Sequence, residues 1–180
     1  MNLESNTHFG GEPVDPRFRI MVPTEDHGVY AGLVSSWTQG AEQMLPKTQE
    51  EIMKFFKQGH SVLVFEGEAL ISHAAATYMY SDGSIEIGAM YTHEEHRGKK
   101  AVTTAVHALL EIINKKYPER MKFALANDSS AHVFEKMGAT VMTTDELSKE
   151  VWEPCVTCPK NVGGSPFHCC DTPYNLTDIL

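Results

Sequence analysis

Residues 85–113 read IEIGAMYTHEEHRGKKAVTTAVHALLEII, and the reading of this stretch decides the fold. IEIGAMYT is rich in strand formers and predicts a strand ending near Thr92. Beyond it Val102, Ala105, Val106, Leu109, Leu110, Ile113 and Tyr117 recur at spacings of three and four, the strongest helical periodicity in the chain, and Pro118 ends the helix. A short loop through Arg97, Gly98, Lys99 and Lys100 joins the two. A helix that starts directly after a loop leaves its first N–H groups unpaired and turns the positive end of its dipole toward that loop. With basic side chains beside it, the junction is a candidate anion site of the size a pyrophosphate fills. A solvated basic turn is the alternative reading.

Working outward, FRIMVP predicts a short strand stopped by Pro23, and Thr24 caps a helix with Tyr30, Leu33, Val34 and Trp37 on one face. SSWTQGAEQ breaks that pattern, and Thr48 then caps a second helix that buries Ile52, Phe55 and Phe56 and stops at Gly59. SVLVFE and ALISHAAATYMY, joined at Glu66, Gly67 and Glu68, predict a hairpin, which a turn at Ser81, Asp82 and Gly83 extends into a three-stranded meander. MKFALA predicts a buried strand, Asp128 or Ser129 caps a helix running to Gly138, and ATVMT is one more strand. The result is an α/β domain over residues 17–152 with a mixed, mostly antiparallel sheet flanked by helices. Residues 1–16, polar and carrying Gly10, Gly11, Pro13 and Pro16, are expected to be a flexible arm. Residues 153–180 hold all four cysteines and little periodicity, and are expected to be an irregular appendage.

The chain has 180 residues, 42% of them hydrophobic and 22% charged, values that fit one packed domain. Its 24 acidic and 15 basic residues leave a net charge of −9, which disfavours nucleic acid as a partner. No run approaches the roughly 18 apolar residues of a membrane span, and the N-terminus lacks a basic segment followed by an apolar one. The expected compartment is the cytosol, where cysteines are reduced thiols or metal ligands.

The segment EIGAMYTHEEHRGK, running into the long helix, resembles the GNAT superfamily of acyl-coenzyme A dependent N-acyltransferases, whose fourth strand leads into an R-x-x-G-x-G/A loop. NDSSAHVFEKMGA is similar to the family's N-x-x-A-x-x-x-Y-E-K-x-G-F segment, and the element order over residues 17–145 is also the family's. The resemblance implies acetyl-CoA as cosubstrate. It implies pantetheine pairing at the backbone of Met90 and Thr92, and pyrophosphate binding from Arg97 through Gly98, Lys99, Lys100 and Ala101 to Val102, with Asn127 and Phe134 also at the cofactor. The acceptor it implies is an amine on a small molecule, a peptide or a protein. Glu86 falls where the family often has its base, and Ser129, Ser130, His132 or water would substitute as the acid. Glu86 also reads as a solvent-facing strand residue paired with a lysine. Lys100 and Val102 replace the motif's glycines, although Lys100 can adopt helical angles; Phe134 replaces the tyrosine that protonates the leaving thiolate, and Ala139 an aromatic. Trp37, Gln39 and Glu42 are candidates for the acceptor pocket by the same resemblance, with Trp37 also read as core.

The tail carries Cys155, Cys158, Cys169 and Cys170, with His168 beside the last pair. A Cys-x-x-Cys turn plus a second half from Cys170 with His168 or Cys169 has the donor set of a tetrahedral Zn2+ site. A redox pair, plain reduced thiols, or a thiol reaching the active site are the alternatives. His73, His93 and His96 show no ligand spacing and are expected to be satisfied or solvated. Two functions follow: transfer of an acetyl or other short acyl group from coenzyme A to an amine, or a catalytically silent GNAT-fold module that binds a protein partner. Self-association stays open.

Overall fold

A computed structural model describes residues 8–9, 12–13, 15–41, 44–161, 170 and 172–179. The strands are β1 (His8–Phe9), β2 (Glu12–Pro13), β3 (Phe18–Met21), β4 (Ser61–Glu66), β5 (Ala69–Met79), β6 (Ile85–Thr92), β7 (Lys122–Ala126), β8 (Thr140–Val141) and β9 (Thr172–Asn175). The helices are α1 (Gly28–Gln39), α2 (Gln49–Gln58), α3 (Ala101–Lys116), α4 (Asp128–Lys136) and α5 (Lys149–Trp152). By hydrogen-bonded neighbour, seven strands follow the order β3-β4-β5-β6-β7-β9-β8, and β6/β7 is a parallel pair in an otherwise mostly antiparallel set. The mixed α/β class read from the sequence is observed. Among the described residues no helix is long and apolar enough to cross a membrane.

The chain divides into two compact units, and the β5–β6 hairpin contributes its tip to the second. The first unit comprises residues 1–77, 88–118 and 180. Its core joins Met21, Ala31, Val34, Ile52, Phe55, Phe56, Leu63, Phe65 and Leu70, with Tyr30 and Trp37 packed against them. Helix α2 forms where expected. The Thr48 hydroxyl accepts from the Glu51 N–H (3.2 Å), and the Glu51 carboxylate accepts from the Thr48 N–H (2.7 Å). Gly59 ends it in the left-handed conformation at φ 65°.

Helix α1 departs from the expectation. It runs unbroken to Gln39, and Leu33 is 41% exposed while Ala31 and Thr38 are buried instead. The reason is polar: the Thr38 hydroxyl accepts from the Lys47 N–H at 2.8 Å, which satisfies a residue the hydrophobic pattern leaves out. In the arm, β1 and β2 pair antiparallel at His8/Pro13 and Phe9/Glu12, so regular pairing exists where none was expected.

The second unit comprises residues 78–87 and 119–179. Its core gathers Tyr80, Phe123, Met142, Leu147 and Val151. Part of the C-terminal segment, expected to be irregular, forms a strand. Strand β9 lies between β7 and β8, pairing Ala124 with Tyr174 and Val141 with Tyr174, and Tyr174 and Leu176 are buried. Burial of the Tyr174 ring and the Leu176 side chain favours the strand's place in the sheet.

Candidate functional site

In the first unit, the end of β6 spends alternate backbone groups on β5. The His93 N–H donates to the Ile71 carbonyl (2.9 Å), Ser72 Oγ donates to the Tyr91 carbonyl (2.8 Å), and His73 Nδ1 contacts the Ala89 carbonyl (2.8 Å). Strand alternation therefore turns the backbone groups of Met90 and Thr92 to the opposite edge. Ala89 has φ 47°, and among the described residues Ala89 and Lys100 are the two non-glycine residues with positive φ.

After β6, a 3-10 turn at Glu94–His96 leads to Gly98, also left-handed at φ 79°, and then to Lys100 at φ 63° and ψ 17°, which is the N-cap of α3. Lys100 does not take helical angles as expected; it adopts the conformation that the motif's glycine adopts freely, at a cost of about 1 kcal/mol. No side chain caps α3, so its first amides stay presented to the loop, followed by buried Ala101 and half-buried Val102.

The three bases of the loop are not equivalent. Lys99 Nζ lies 2.8 Å from Glu66 Oε2, which His96 Nδ1 also contacts at 2.8 Å, and these partners hold the Glu66 carboxyl below the ordinary range, Lys99 foremost. The Lys99 charge is thus spent within the protein. Arg97, 61% exposed, stands 3.7 Å from Glu94, and Lys100 is exposed. Trp37 stacks on Tyr91 at 5.4 Å between centroids and lies 5.9 Å from His93. Gln39 is exposed, and Glu42 lies outside the described residues.

In the second unit, Glu86 is half-buried on β6, opposite Phe123 of β7. Its carboxylate accepts from the Tyr80 hydroxyl at 2.6 Å, a tyrosine where a lysine was the alternative expectation. Burial, and then the Glu86 charge, push the Tyr80 hydroxyl far above its usual range, so it remains a donor. Asn127, not Asp128 or Ser129, caps α4: its side-chain oxygen accepts from the Ser129 and Ser130 N–H groups at 3.1 and 3.0 Å. Asn127 offers its oxygen at the N-cap position, where Asp128 and Ser129 already have helical geometry. Ser129 itself is exposed. Phe134 is fully buried and packs on Tyr174 at 5.5 Å, and the Tyr174 hydroxyl donates to Glu135.

Cys155, Cys158 and Cys170 form no disulfide and are half-buried. They do not converge: among the described residues the one group of three potential ligands with atoms within 4.8 Å of each other is His93, Glu95 and His96. His168 and Cys169, and the Gly163 and Gly164 between the two halves of the expected zinc site, lie outside the described residues. The histidine and glutamate group escaped the sequence reading because its one-, two- and three-residue spacing becomes a cluster only on a 3-10 turn.

The profile of the Acetyltransferase (GNAT) family matches residues 20–139. The chain belongs to the GNAT acetyltransferase family. Among curated protein sequences none matches. Solved GNAT-like structures share the fold at low identity. One is yncA from Salmonella typhimurium with its cofactor acetyl-CoA (11% identity, 71% of this chain and 82% of that one, TM-score 0.58). Another is Rv2747 from Mycobacterium tuberculosis in complex with CoA and NLQ (14%, 74% and 78%, TM-score 0.58). A third is the Salmonella typhimurium acetyl transferase that modifies the N-terminal serine of ribosomal protein L7/L12 (16%, 72% and 84%, TM-score 0.52).

Proposed function

We propose that this GNAT protein transfers an acetyl or other short acyl group from coenzyme A to the amine of an acceptor by direct attack. The observation that carries the proposal is the start of α3, an uncapped helix entered through left-handed Gly98 and Lys100. In this reading the amides from Arg97 to Val102 bind the pyrophosphate, and the outward edge of β6 at Met90 and Thr92 pairs with the pantetheine amides. Ala101 and Asn127 complete the cofactor contacts. Phe134 is buried and stands at the family's acid position.

Glu86 is the base of this reading. It takes the proton from the attacking amine, directly or through water, while the Tyr80 hydroxyl holds one carboxylate oxygen in place. The nitrogen forms the amide bond, the carbon–sulfur bond breaks, and the thiolate leaves with its electron pair. Phe134 has no proton to give, so water or exposed Ser129 returns one to sulfur. The net negative chain favours a cationic acceptor. Acetylation of a protein N-terminus by one structural neighbour makes peptide amines a first class to screen.

The test combines acetyl-CoA titration by calorimetry with thiol release in the presence of small amines and peptides. Binding together with amine-dependent thiol release is expected; no coenzyme binding overturns the reading. Binding without turnover on any amine would instead favour the silent module that binds a protein partner, which the buried Phe134 at the family's acid position supports.

A further inference from the structure

His93, Glu95 and His96 follow directly on β6, and acyl transfer leaves all three unused. The turn reverses the chain there through the His96 N–H to His93 carbonyl bond (2.9 Å) and the Arg97 N–H to Glu94 carbonyl bond (3.2 Å). It sets the two imidazoles edge to face at 6.2 Å and brings one ligand atom from each of the three side chains within 4.8 Å of the others. We propose that His93, Glu95 and His96 bind a borderline divalent cation of the Zn2+ class.

A tetrahedral zinc ion with imidazole nitrogens at about 2.0 Å spaces its ligand atoms about 3.3 Å apart. The ligand atoms, within 4.8 Å of one another, have to close to that spacing, and Glu95, 83% exposed, has room to rotate. His93 Nδ1 and Glu95 Oε2 stand 4.0 Å apart, too far for a hydrogen bond, so neither group is spent on the other.

His96 is already oriented. Its Nδ1 faces Glu66 Oε2 at 2.8 Å, which leaves the Nε2 lone pair as the ligand. A carboxylate behind a histidine in this way fixes the tautomer and raises the basicity of the ligating nitrogen. Glu66 is itself held by Lys99 at 2.8 Å and Arg17 at 3.6 Å. The Trp37 ring beside His93 shields one side of the cluster. Two imidazoles and one carboxylate, with remaining positions open to water, suit Zn2+, Co2+ or Ni2+; Mg2+ and Ca2+ prefer oxygen throughout. A cation here would pin the turn that leads to Gly98 and Lys100, and its binding is independent of whether the protein transfers acyl groups.

The experiment uses the full chain, stripped with a chelator and titrated with Co2+, then with Zn2+ in competition. Cobalt d–d absorption without thiolate charge-transfer bands is expected, unchanged in Cys155→Ser/Cys158→Ser. His96→Ala should raise the Kd at least about 10-fold, and Glu66→Gln about 10- to 100-fold without losing a ligand. His93→Asn, with circular dichroism as a folding control, covers failure of His96→Ala to fold. No cobalt uptake overturns the proposal, as do thiolate bands that vanish in the cysteine variant while the histidine variants bind normally.

Discussion

The imidazole of His73 and the backbone carbonyl of Ala89 are 2.8 Å apart, and the carbonyl can only accept. Nδ1 therefore carries the proton and Nε2 accepts from the Ser61 hydroxyl, also at 2.8 Å. This fully buried, neutral histidine clamps β6 where its backbone turns left-handed at Ala89, one residue before Met90. Burial pulls the His73 pKa down to about 4, against 6.5 for an exposed histidine.

Stability should consequently depend on pH through His73. Unfolded, it protonates below about 6.5; folded, only near 4. Its contribution is full above 6.5 and is lost as pH falls toward 4, so urea unfolding should show a loss of about 2 kcal/mol between pH 7 and pH 5. His73→Gln should remove that slope. An unchanged slope would mean that another group carries it.

Lys100→Gly should stabilise the fold by about 1 kcal/mol, because glycine takes the left-handed cap without the steric cost. A higher thermal midpoint checks it. A lower one would show that the lysine side chain contributes more than its backbone costs.

Glu86→Gln should lower kcat by about 10²- to 10⁴-fold with little change in the KM for acetyl-CoA, as expected for loss of a general base. Tyr80→Phe, which keeps the ring on Phe123 and removes only the hydroxyl, should cost a smaller factor. Wild-type turnover by the glutamine variant would remove Glu86 from the chemistry.

Tyr174→Ala should destabilise the second unit by about 3–5 kcal/mol, as for other large core aromatics, since the ring is 2% exposed and packs on Phe134. Denaturant unfolding followed through Trp152, which lies beside that unit's core, reads the loss. A change below about 1 kcal/mol would mean that β9 is dispensable.

Most elements were legible because their signals are local. The Thr48 cap, Gly59 and the periodicity of α3 each act within one or two turns, and each element forms as read. Glu86, Met90 and Thr92 were assigned by resemblance to the family, and the Tyr80 partner of Glu86 depends on a hairpin contact across six residues. Strand β9 was missed because Pro173 lies in it and proline argues against a central strand; only pairing with β7 and β8 reveals it. The left-handed Lys100 went unread because lysine has no preference for that conformation, and loop closure imposes it.

The position of β9 bears on how the chain matures on the ribosome. It is synthesised after both β7 and β8, yet stands between them. The second unit cannot assemble its strands in order of emergence: β7 and β8 must wait, with the β7 edge unsatisfied, until the later segment slots in. During that interval the β7 edge lacks the partner that β9 later supplies.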